Sequence, residues 1–151
     1  MPGFESSIRI EASPEKVWPL LSDASRYDEW VTVTDRVIDA GGDQMKVGTV
    51  YREYGGIPPF KAESTWHVTE FTPYSRQVHV GDDGSMRIVL EIDLARDGEG
   101  TQFTQKLKFT PRWFMIPVAY PMWFLMMGRR GKAAIEETQA NLKRLVEAAG
   151  T

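Results

Sequence analysis

His67 and His79 are the only histidines of the chain, and imidazole is the side chain best suited to bind a metal or move a proton near neutral pH. The hairpin register predicted from the sequence places them opposite one another on adjacent strands, on the outward face of a sheet. A structural zinc site needs four ligands, and the chain has no cysteine and no assured carboxylate beside this pair. We therefore interpret the histidines as an ordinary exposed cross-strand pair and expect no metal and no other cofactor.

Gln105 is a polar residue at a position predicted to face inward. It stands between Phe103 and Leu107 on its own strand and faces Ile92 on the next one. A buried amide needs a hydrogen-bond partner, which a ligand carbonyl or hydroxyl, an ordered water or a helix group could each supply. We favour a structural partner, and Gln105 stays a candidate ligand contact.

Charged side chains offer two further candidates for chemistry. Arg52 precedes the Gly55–Pro59 loop, which leaves the hairpin register open, so Arg52 could point inward and polarise a ligand carbonyl. Glu70 and Arg76 lie opposite one another near a rim in the predicted register, where an ion pair is more common than an acid–base couple. The predicted inner wall offers no histidine, the usual base for proton transfer near neutral pH.

Composition limits the functions open to the chain. Its 151 residues suffice for one domain with a sizeable core, and we expect a single domain over residues 1–151. The 18 basic and 21 acidic residues give a net charge of -3 without a basic block, so we expect no nucleic-acid partner. Cysteine is absent, which excludes disulfides and thiolate chemistry. The first residues lack the pattern of a secretory signal, and we expect a cytoplasmic location.

Trp113–Met127 is a run of uncharged, mainly apolar residues. A membrane-spanning helix needs about twenty apolar residues, and Pro117 and Pro121 interrupt this run. The segment is therefore too short to cross a bilayer. Three roles stay open for it: a buried core segment, a gate over a pocket, or a transient contact with a membrane or a partner protein.

The pattern of apolar residues and turns predicts the elements that position these groups. Ile8 and Ile10 alternate with polar residues, as in a half-buried strand, and Ser13 and Pro14 mark the start of a helix. Turn residues at regular spacing then indicate an antiparallel meander. The predicted strands are Phe4–Glu11, Thr34–Asp39, Thr49–Tyr54, Phe60–Phe71, Arg76–Val80, Ser85–Arg96 and Thr101–Phe109.

A long amphipathic helix is predicted from about Pro121 to Ala149, with Ile135 and Leu142 on its apolar face. The same face includes Gly128 and Gly131, although glycine inside a helix costs about 1 kcal/mol relative to alanine. A close backbone approach, space for a bound molecule, or an irregular helix start could each explain these glycines.

Turn geometry predicts which side chains share the inner face of the sheet. A turn centred on Pro73 sets Trp66 against Val80 and Val68 against Val78. A turn at residues 98–99 gives the pairs Leu94–Phe103, Ile92–Gln105, Leu90–Leu107 and Ile88–Phe109. The predicted inner wall is therefore long and apolar.

Short motifs distributed along nearly the whole chain resemble those of a known protein family. They are Ile10–Trp18, Leu20–Asp23, Trp30, Val47–Thr49, Trp66–Pro73 and Leu142–Glu147. With this order of elements, the sequence resembles the START-like superfamily (SRPBCC, Bet v 1-like), and within it the bacterial polyketide cyclase/dehydrase and lipid-transport proteins. The resemblance implies an α+β helix-grip fold, in which a seven-stranded curved antiparallel sheet wraps around the long C-terminal helix. It also implies two short helices between strands 1 and 2.

The resemblance further implies an apolar tunnel between sheet and helix that binds a hydrophobic small molecule, such as a lipid, an isoprenoid or an aromatic polyketide. The residues expected to bind it are Trp30, Ser64, Trp66, Val68, Val78, Val80, Ile88, Leu90, Ile92, Phe103, Gln105, Leu107, Met122, Leu125 and Gly128. Carriage or presentation of this ligand is the favoured function.

Two other functions stay open. In aromatase/cyclases of the family, an inward arginine and nearby hydroxyls orient an enolising poly-ketone chain. The resemblance therefore makes Arg52, Ser64, Tyr51 and Tyr54 the residues to examine for a polyketide cyclase. A protein-docking module is the third function, which a tunnel filled by side chains and an exposed aromatic segment would favour.

Overall fold

The computed structural model describes residues 3–57, 60–122 and 128–149. The strands are β1 (Gly3–Ile10), β2 (Thr34–Asp39), β3 (Val50–Ile57), β4 (Phe60–Thr72), β5 (Arg76–Asp82), β6 (Met86–Asp97) and β7 (Gly100–Pro111). The helices are α1 (Pro14–Leu21), α2 (Tyr27–Trp30), α3 (Ile116–Met122) and α4 (Gly128–Ala149). Short 3-10 turns lie at Ala24–Arg26 and Trp113–Met115.

The strands form one antiparallel sheet in the order β1-β7-β6-β5-β4-β3-β2. Consecutive strands from β2 to β7 are neighbours, and β1 joins the far edge beside β7. The two short helices α1 and α2 connect the two edge strands, and the long helix α4 packs against β1. The predicted helix-grip fold, with its seven-stranded curved sheet, is confirmed.

Helix α1 begins where the sequence predicts it. Pro14 occupies the first turn, where its missing N–H has no helical partner to lose. The Ser13 carbonyl accepts hydrogen bonds from the Lys16 and Val17 amides at 2.9 and 3.1 Å, while the Ser13 hydroxyl makes no capping bond to the backbone. The backbone geometry and the proline therefore define this helix start.

Helix α4 is held on the sheet by both apolar and polar contacts. Leu142 is fully buried against the core. The Gln139 amide donates to the Ser6 carbonyl at 2.8 Å, and the Lys143 ammonium donates to the Arg9 carbonyl at 2.9 Å. These bonds fix α4 along β1 and leave its first turns over the middle of the sheet, where the cavity lies.

Glycines set the close approaches around this helix and sheet. A Cβ on Gly131 of α4 would overlap the Phe4 ring of β1, so the glycine lets the ring lie against the helix backbone. Of the three explanations offered for the helix glycines, a close backbone approach therefore accounts for Gly131. Gly128 is the first residue of α4. The helix predicted from Pro121 is thus described as two elements, α3 up to Met122 and α4 from Gly128.

The turn between β4 and β5 differs from the prediction. It is centred on Tyr74, whose φ of 65° is left-handed, so that Thr72 pairs with Arg76. An irregularity between Val68 and Glu70 then shifts the pairing by one residue. The predictions of a turn centred on Pro73 and of a regular ladder between β4 and β5 are therefore both wrong.

This shift changes which side chains of β5 face inward, because a one-residue slip moves every side chain to the other face. Trp66 pairs with Gly81, and Val78 and Val80 lie on the outward side of β5, where they are half-buried. The buried residues of β5 are Gln77, His79 and Gly81. The prediction that Val78 and Val80 face the interior is therefore wrong.

The hairpin of β6 and β7 follows the predicted register. Its pairs include Leu94–Phe103, Ile92–Gln105, Leu90–Leu107 and Ile88–Phe109. Gly98 lies in the turn with a φ of 63°, a conformation that glycine adopts without strain. These two strands therefore supply the apolar wall that the sequence predicts.

Candidate ligand cavity

A cavity of about 250 Å³ lies between the inner face of the sheet and α4. Strands β3 to β7 form most of its wall, and Phe4 of β1 and residues of α2, α3 and α4 also line it. Seven of the residues predicted to bind a ligand line this cavity: Trp30, Trp66, Ile88, Leu90, Ile92, Gln105 and Leu107. The space thus lies where the predicted tunnel should be, and its lining is mainly apolar.

Five other predicted residues are not part of the described cavity wall: Ser64, Val68, Val78, Val80 and Phe103. Val68 and Phe103 are 1% and 0% exposed and belong to the core beside the cavity. Val78 and Val80 are turned away by the shifted register of β5. Ser64 is half-buried and pairs with Glu53 of β3 without reaching the wall.

The remaining predicted contacts lie around the start of α4. Gly128 is not among the lining residues of the described chain, while the side chain of Met122 and the whole of Leu125 fall outside the described residues. Met115 and Ala119 line the cavity from the segment before α4. Helix α4 itself contributes Gly131, Ala134, Ile135 and Thr138. A role in ligand binding stays a prediction for all these residues.

The three candidates for catalysis on β3 divide between the two faces of the sheet. Tyr51 is buried and lines the cavity. Arg52 is exposed, with its guanidinium 3.6 Å from the Glu63 carboxylate, and therefore does not point inward. Tyr54 also lies on the outer face, where the Arg36 guanidinium stands 4.9 Å over its ring. Of these candidates only Tyr51 can touch a molecule in the cavity.

A hydrogen-bonded chain leads from the cavity wall to the end of α1. It runs through Tyr51, His79, Gln77 and Ser22. Tyr51 Oη is 2.6 Å from His79 Nδ1, and His79 Nε2 is 2.8 Å from Gln77 Oε1. The Gln77 amide nitrogen donates to Ser22 Oγ at 3.0 Å. His79 and Gln77 are fully buried, and the chain satisfies their polar atoms inside the protein.

The side-chain amide of Gln77 determines which group donates and which accepts in each of these hydrogen bonds. Because its nitrogen donates to Ser22, its oxygen accepts, and His79 Nε2 must carry the donated proton. His79 Nδ1 then accepts from the Tyr51 hydroxyl. The Tyr51 oxygen keeps acceptor capacity for a donor group in the cavity.

His79 therefore lies on the opposite face of the sheet from the one predicted for it. The prediction of an exposed cross-strand pair is wrong for this residue, because the register shift turns His79 inward, while His67 stays exposed opposite Val80. The expectation that the inner wall lacks a histidine is wrong for the same reason. In the folded chain Gly81 lies against Trp66, where a Cβ would be 2.6 Å from the ring, and His79 shares this inward row because it lies two residues earlier on the strand.

Burial controls the protonation of the two groups at the end of the chain. Burial lowers the pKa of His79 to about 4, because charging the imidazole in the interior is unfavourable. Burial also raises the pKa of Tyr51 well above its usual value, and the nearby Tyr27 and Glu53 raise it further. Both groups are neutral near pH 7.

Glu53 is an ionisable residue of the wall that sequence reasoning missed. Burial raises the pKa of its carboxyl group, and the hydrogen bond from Thr34 Oγ1 at 2.9 Å opposes this effect. The nearby Trp66 indole also lowers the pKa, although its N–H has no partner with hydrogen-bond geometry. The cavity therefore combines an apolar lining with a carboxyl group whose affinity for a proton is increased.

Aromatic rings gather beside Glu53. Tyr27 contacts Trp30 and Tyr51 edge to face, with ring centroids 5.5 Å apart in both pairs. Tyr51 and Trp66 are parallel, with centroids 6.2 Å apart. The indole nitrogens of Trp30 and Trp66 are buried and make no hydrogen bond, and the same holds for Gln105 Oε1. Such groups cost about 1–3 kcal/mol each when unsatisfied, so a ligand that bonded to them would gain affinity.

Arg76 is the centre of an ion-pair cluster away from the cavity. Its guanidinium donates to Asp93 at 2.8 and 2.9 Å, to Glu91 at 2.8 Å and to Glu70. Hydrogen bonds to Asp93 and Glu91 raise the pKa of Arg76, and Arg76 lowers that of Glu91. None of these residues belongs to the described cavity wall, and the cluster fits the predicted ion pair rather than an acid–base couple.

The described residues hold no group of three His, Cys, Asp or Glu side chains that could bind a metal ion. No helix within residues 3–57, 60–122 and 128–149 is long and apolar enough to cross a bilayer.

Comparison with known proteins agrees with this architecture. The sequence model of the family described as "Polyketide cyclase / dehydrase and lipid transport" matches residues 1–147. No curated protein matches the sequence. A solved structure from Thermus thermophilus superposes with a TM-score of 0.81 at 18% identity, covering 99% of this chain and 100% of that one.

Two further solved structures are an aromatase/cyclase and a di-domain ARO/CYC. The Zhui aromatase/cyclase from Streptomyces sp. R1128 has a TM-score of 0.76 at 18% identity, covering 99% of this chain and 98% of that one. The di-domain ARO/CYC StfQ from the steffimycin pathway has a TM-score of 0.76 at 12% identity, covering 99% of this chain and 52% of that one. At such identities the likeness concerns the fold.

Proposed function

Because the chain belongs to the polyketide cyclase/dehydrase and lipid-transport family, we propose that it binds a hydrophobic small molecule in the cavity between the sheet and α4. The ligand class is a lipid, an isoprenoid or an aromatic polyketide. Binding serves to carry the molecule or to present it to another protein.

The cavity is the observation that carries this proposal. Ile88, Leu90 and Leu107 form an apolar wall on β6 and β7, and Ala134 and Ile135 face them from α4. Removing apolar surface from water contributes about 25 cal/mol per Å², from which the cost of ordering the ligand is subtracted. Affinity would therefore come mainly from apolar burial.

The unsatisfied polar atoms narrow the chemistry of the ligand. The N–H groups of Trp30 and Trp66 require acceptors, and Gln105 Oε1 requires a donor. A carbonyl or ether oxygen suits the indoles, and a hydroxyl suits Gln105. We therefore expect a largely apolar molecule that carries at least one carbonyl and one hydroxyl group, as hydroxylated aromatic polyketides do.

To test the proposal, a larger side chain is placed on α4 so that it fills the cavity. Ala134 lines the cavity, whereas its neighbour Ala133 is exposed, so Ala134→Trp and Ala133→Trp place the same large side chain on either side of the wall. Binding of 1-aminoanthracene, a fluorescent aromatic amine, is measured by titration. We expect Ala134→Trp to weaken binding at least about tenfold and Ala133→Trp to change it less than about twofold. Equal affinity of both variants would contradict the proposal.

The native ligand is sought by native mass spectrometry of the protein purified from its own host, followed by extraction. A bound lipid, isoprenoid or polyketide would support carriage and identify the ligand class. Loss of this molecule in Ala134→Trp, with retention in Ala133→Trp, would assign it to the cavity.

Glu53 and the chain behind Tyr51 favour a second candidate function, a polyketide cyclase acting on an enolisable poly-ketone. An ionised Glu53 carboxylate could take a proton from a methylene group between two carbonyls. The resulting carbanion attacks another carbonyl of the same chain, and the new alkoxide takes the proton back from Glu53. Tyr51, held by His79, would orient the substrate.

Glu53→Gln tests this candidate, with Glu63→Gln as the control on the outer face of β4. The measurement is the rate of aromatic product formation from a short poly-β-ketone thioester, corrected for the reaction without protein. We expect Glu53→Gln to lower this rate about 10²–10⁴-fold and Glu63→Gln to leave it unchanged. A wild-type rate equal to the protein-free rate would eliminate the cyclase candidate and leave the binding proposal standing.

A further inference from the structure

Four large apolar side chains are exposed together on the segment between β7 and α4. They are Trp113, Phe114, Ile116 and Val118, with exposed fractions of 82%, 50%, 46% and 50%. The Trp113 and Phe114 rings contact each other edge to face at 5.8 Å. We call these four residues the apolar patch. Clustered exposed apolar side chains of this size usually mark an interaction site.

The apolar patch lies on the outside of the cavity wall. Met115 and Ala119 alternate with the patch residues along the same segment, and both line the cavity. Phe109 and Pro111, at the end of β7, line it as well. Whatever covers the patch therefore lies one layer of side chains away from the proposed ligand.

The charged residues of the chain segment that carries the patch have one sign. Residues 100–135 contain no Asp or Glu, although the whole chain has a net charge of -3. The basic residues of this stretch are Lys106, Lys108, Arg112, Arg129, Arg130 and Lys132. Arg112 pairs with Asp82 and Lys108 with Glu91. Arg129, Arg130 and Lys132 are exposed on the first turns of α4. The patch therefore belongs to a stretch of chain whose own charged residues are all basic, and three of them are exposed at the start of α4.

From this arrangement we propose that the apolar patch docks on the surface of an anionic lipid bilayer, with Arg129 and Lys132 against the headgroups. Aromatic and aliphatic side chains flanked by basic residues are the composition of interfacial membrane anchors. Trp113 protrudes from the surface, and a protruding indole suits a fluid interface because it needs no complementary pocket. Docking would place the cavity wall at the bilayer, from which an apolar ligand could enter past Met115 and Ala119.

Vesicle sedimentation tests the docking without any knowledge of the ligand. The vesicles contain either phosphatidylcholine alone or phosphatidylcholine mixed with phosphatidylglycerol. We expect the protein to partition at least about tenfold more strongly onto the anionic vesicles, and high salt to weaken this binding. Partition that is absent, or equal on both vesicle types, would overturn the proposal.

Two variants separate the apolar and the charged contributions. We expect the double variant Trp113→Ala, Phe114→Ala to lower partition onto anionic vesicles about tenfold or more, and Arg129→Glu with Lys132→Glu to do the same. The matched controls are Val47→Ala, which removes an exposed apolar side chain elsewhere, and Lys16→Glu with Lys46→Glu, which reverses two exposed charges elsewhere. Controls that lose as much binding as the patch variants would overturn the assignment.

The docking proposal and the ligand proposal can fail independently. The variant Trp113→Ala, Phe114→Ala should bind 1-aminoanthracene in the absence of vesicles as the wild type does, because neither residue lines the cavity. Size-exclusion chromatography of the same variant tests whether a second copy of the chain covers the patch instead of a bilayer. If the substitution converts a dimer into a monomer and leaves vesicle binding unchanged, the patch is a contact between two copies of the chain and the docking proposal is wrong.

Discussion

The buried imidazole of His79 is the group whose chemistry depends most on its surroundings. Its ring is fully buried, and both nitrogens are occupied by Tyr51 and Gln77. Burial favours the neutral ring, which is why the pKa of His79 falls to about 4. A neutral His79 fixes the orientation of the Tyr51 hydroxyl instead of serving as a base near pH 7.

This environment makes the stability of the fold depend on pH. Unfolding exposes His79 and returns its pKa to about 6.5 from about 4, so between these values the unfolded chain binds a proton that the folded chain does not. The free energy of unfolding should therefore fall as the pH is lowered from about 6.5 to about 4, by up to about 3 kcal/mol from this residue. Above pH 6.5 this contribution is constant.

Urea denaturation at several pH values measures this effect, with His79→Gln as the variant. We expect the free-energy difference between the wild type and His79→Gln to shrink as the pH falls through the window, because only the wild type loses the histidine contribution. His67→Gln, which replaces the exposed histidine of β4, is the matched control and should follow the wild type. Parallel curves for all three proteins would contradict a buried neutral His79.

The sequence could predict which residue types line the cavity better than it could predict where they point. Ile88, Leu90 and Ile92 were correctly placed, because their hairpin has a regular turn and no bulge. His79 was misplaced, because the left-handed Tyr74 and the shift after Val68 are decided by backbone geometry that alternation of side chains does not encode. Glu53 was overlooked because the register of β3 depends on the following loop.

At the scale of elements, the contact between α4 and β1 shapes the cavity. The Phe4 ring lies against Gly131 and contacts Phe109 edge to face at 5.8 Å. All three residues line the cavity, so this junction forms part of its wall. The glycine, which weakens the helix by propensity, is thus required by the position of the ring.

Gly131→Ala gives a prediction whose sign distinguishes these two effects. Helix propensity alone would stabilise the protein by about 1 kcal/mol, whereas the clash of the new Cβ with Phe4 should destabilise it by about 1–3 kcal/mol. We expect net destabilisation, measured by urea denaturation.

The control uses a second background. In Phe4→Ala the ring is absent, and Gly131→Ala should then be neutral or stabilising relative to Phe4→Ala alone. If Gly131→Ala destabilises both backgrounds equally, the close approach of Phe4 is not the reason for the glycine.

The order and type of elements followed from the sequence more reliably than the start of the C-terminal helix. Strands such as Thr34–Asp39 were predicted with their observed bounds, since period-two alternation and turn residues act locally. The apolar segment before α4 contains two prolines, Pro117 and Pro121, and the apolar pattern does not decide which of them begins a helix. Pro121 was therefore taken as a helix start, whereas it lies inside the short helix α3.

At the scale of the whole molecule, the cavity belongs to both layers of the fold. Its wall combines residues of the sheet, from Phe4 of β1 and from β3 to β7, with residues of α2, α3 and α4, so detachment of either layer opens it. A molecule bound there stabilises the folded protein only while both layers stay together. Ligand binding should therefore couple the stability of the sheet to that of the long helix.

Hydrogen exchange with and without 1-aminoanthracene tests this coupling. A ligand that binds only the folded state adds about 2.7 kcal/mol of stability at a hundredfold excess over its dissociation constant. Amides of β6, β7 and α4 that exchange through global unfolding should therefore all gain about this protection. The Ala134→Trp variant, whose cavity is filled, should gain little, while Ala133→Trp should gain as much as the wild type. Protection confined to one layer would mean that the probe binds to a surface of that layer, and the cavity would then not be the ligand site.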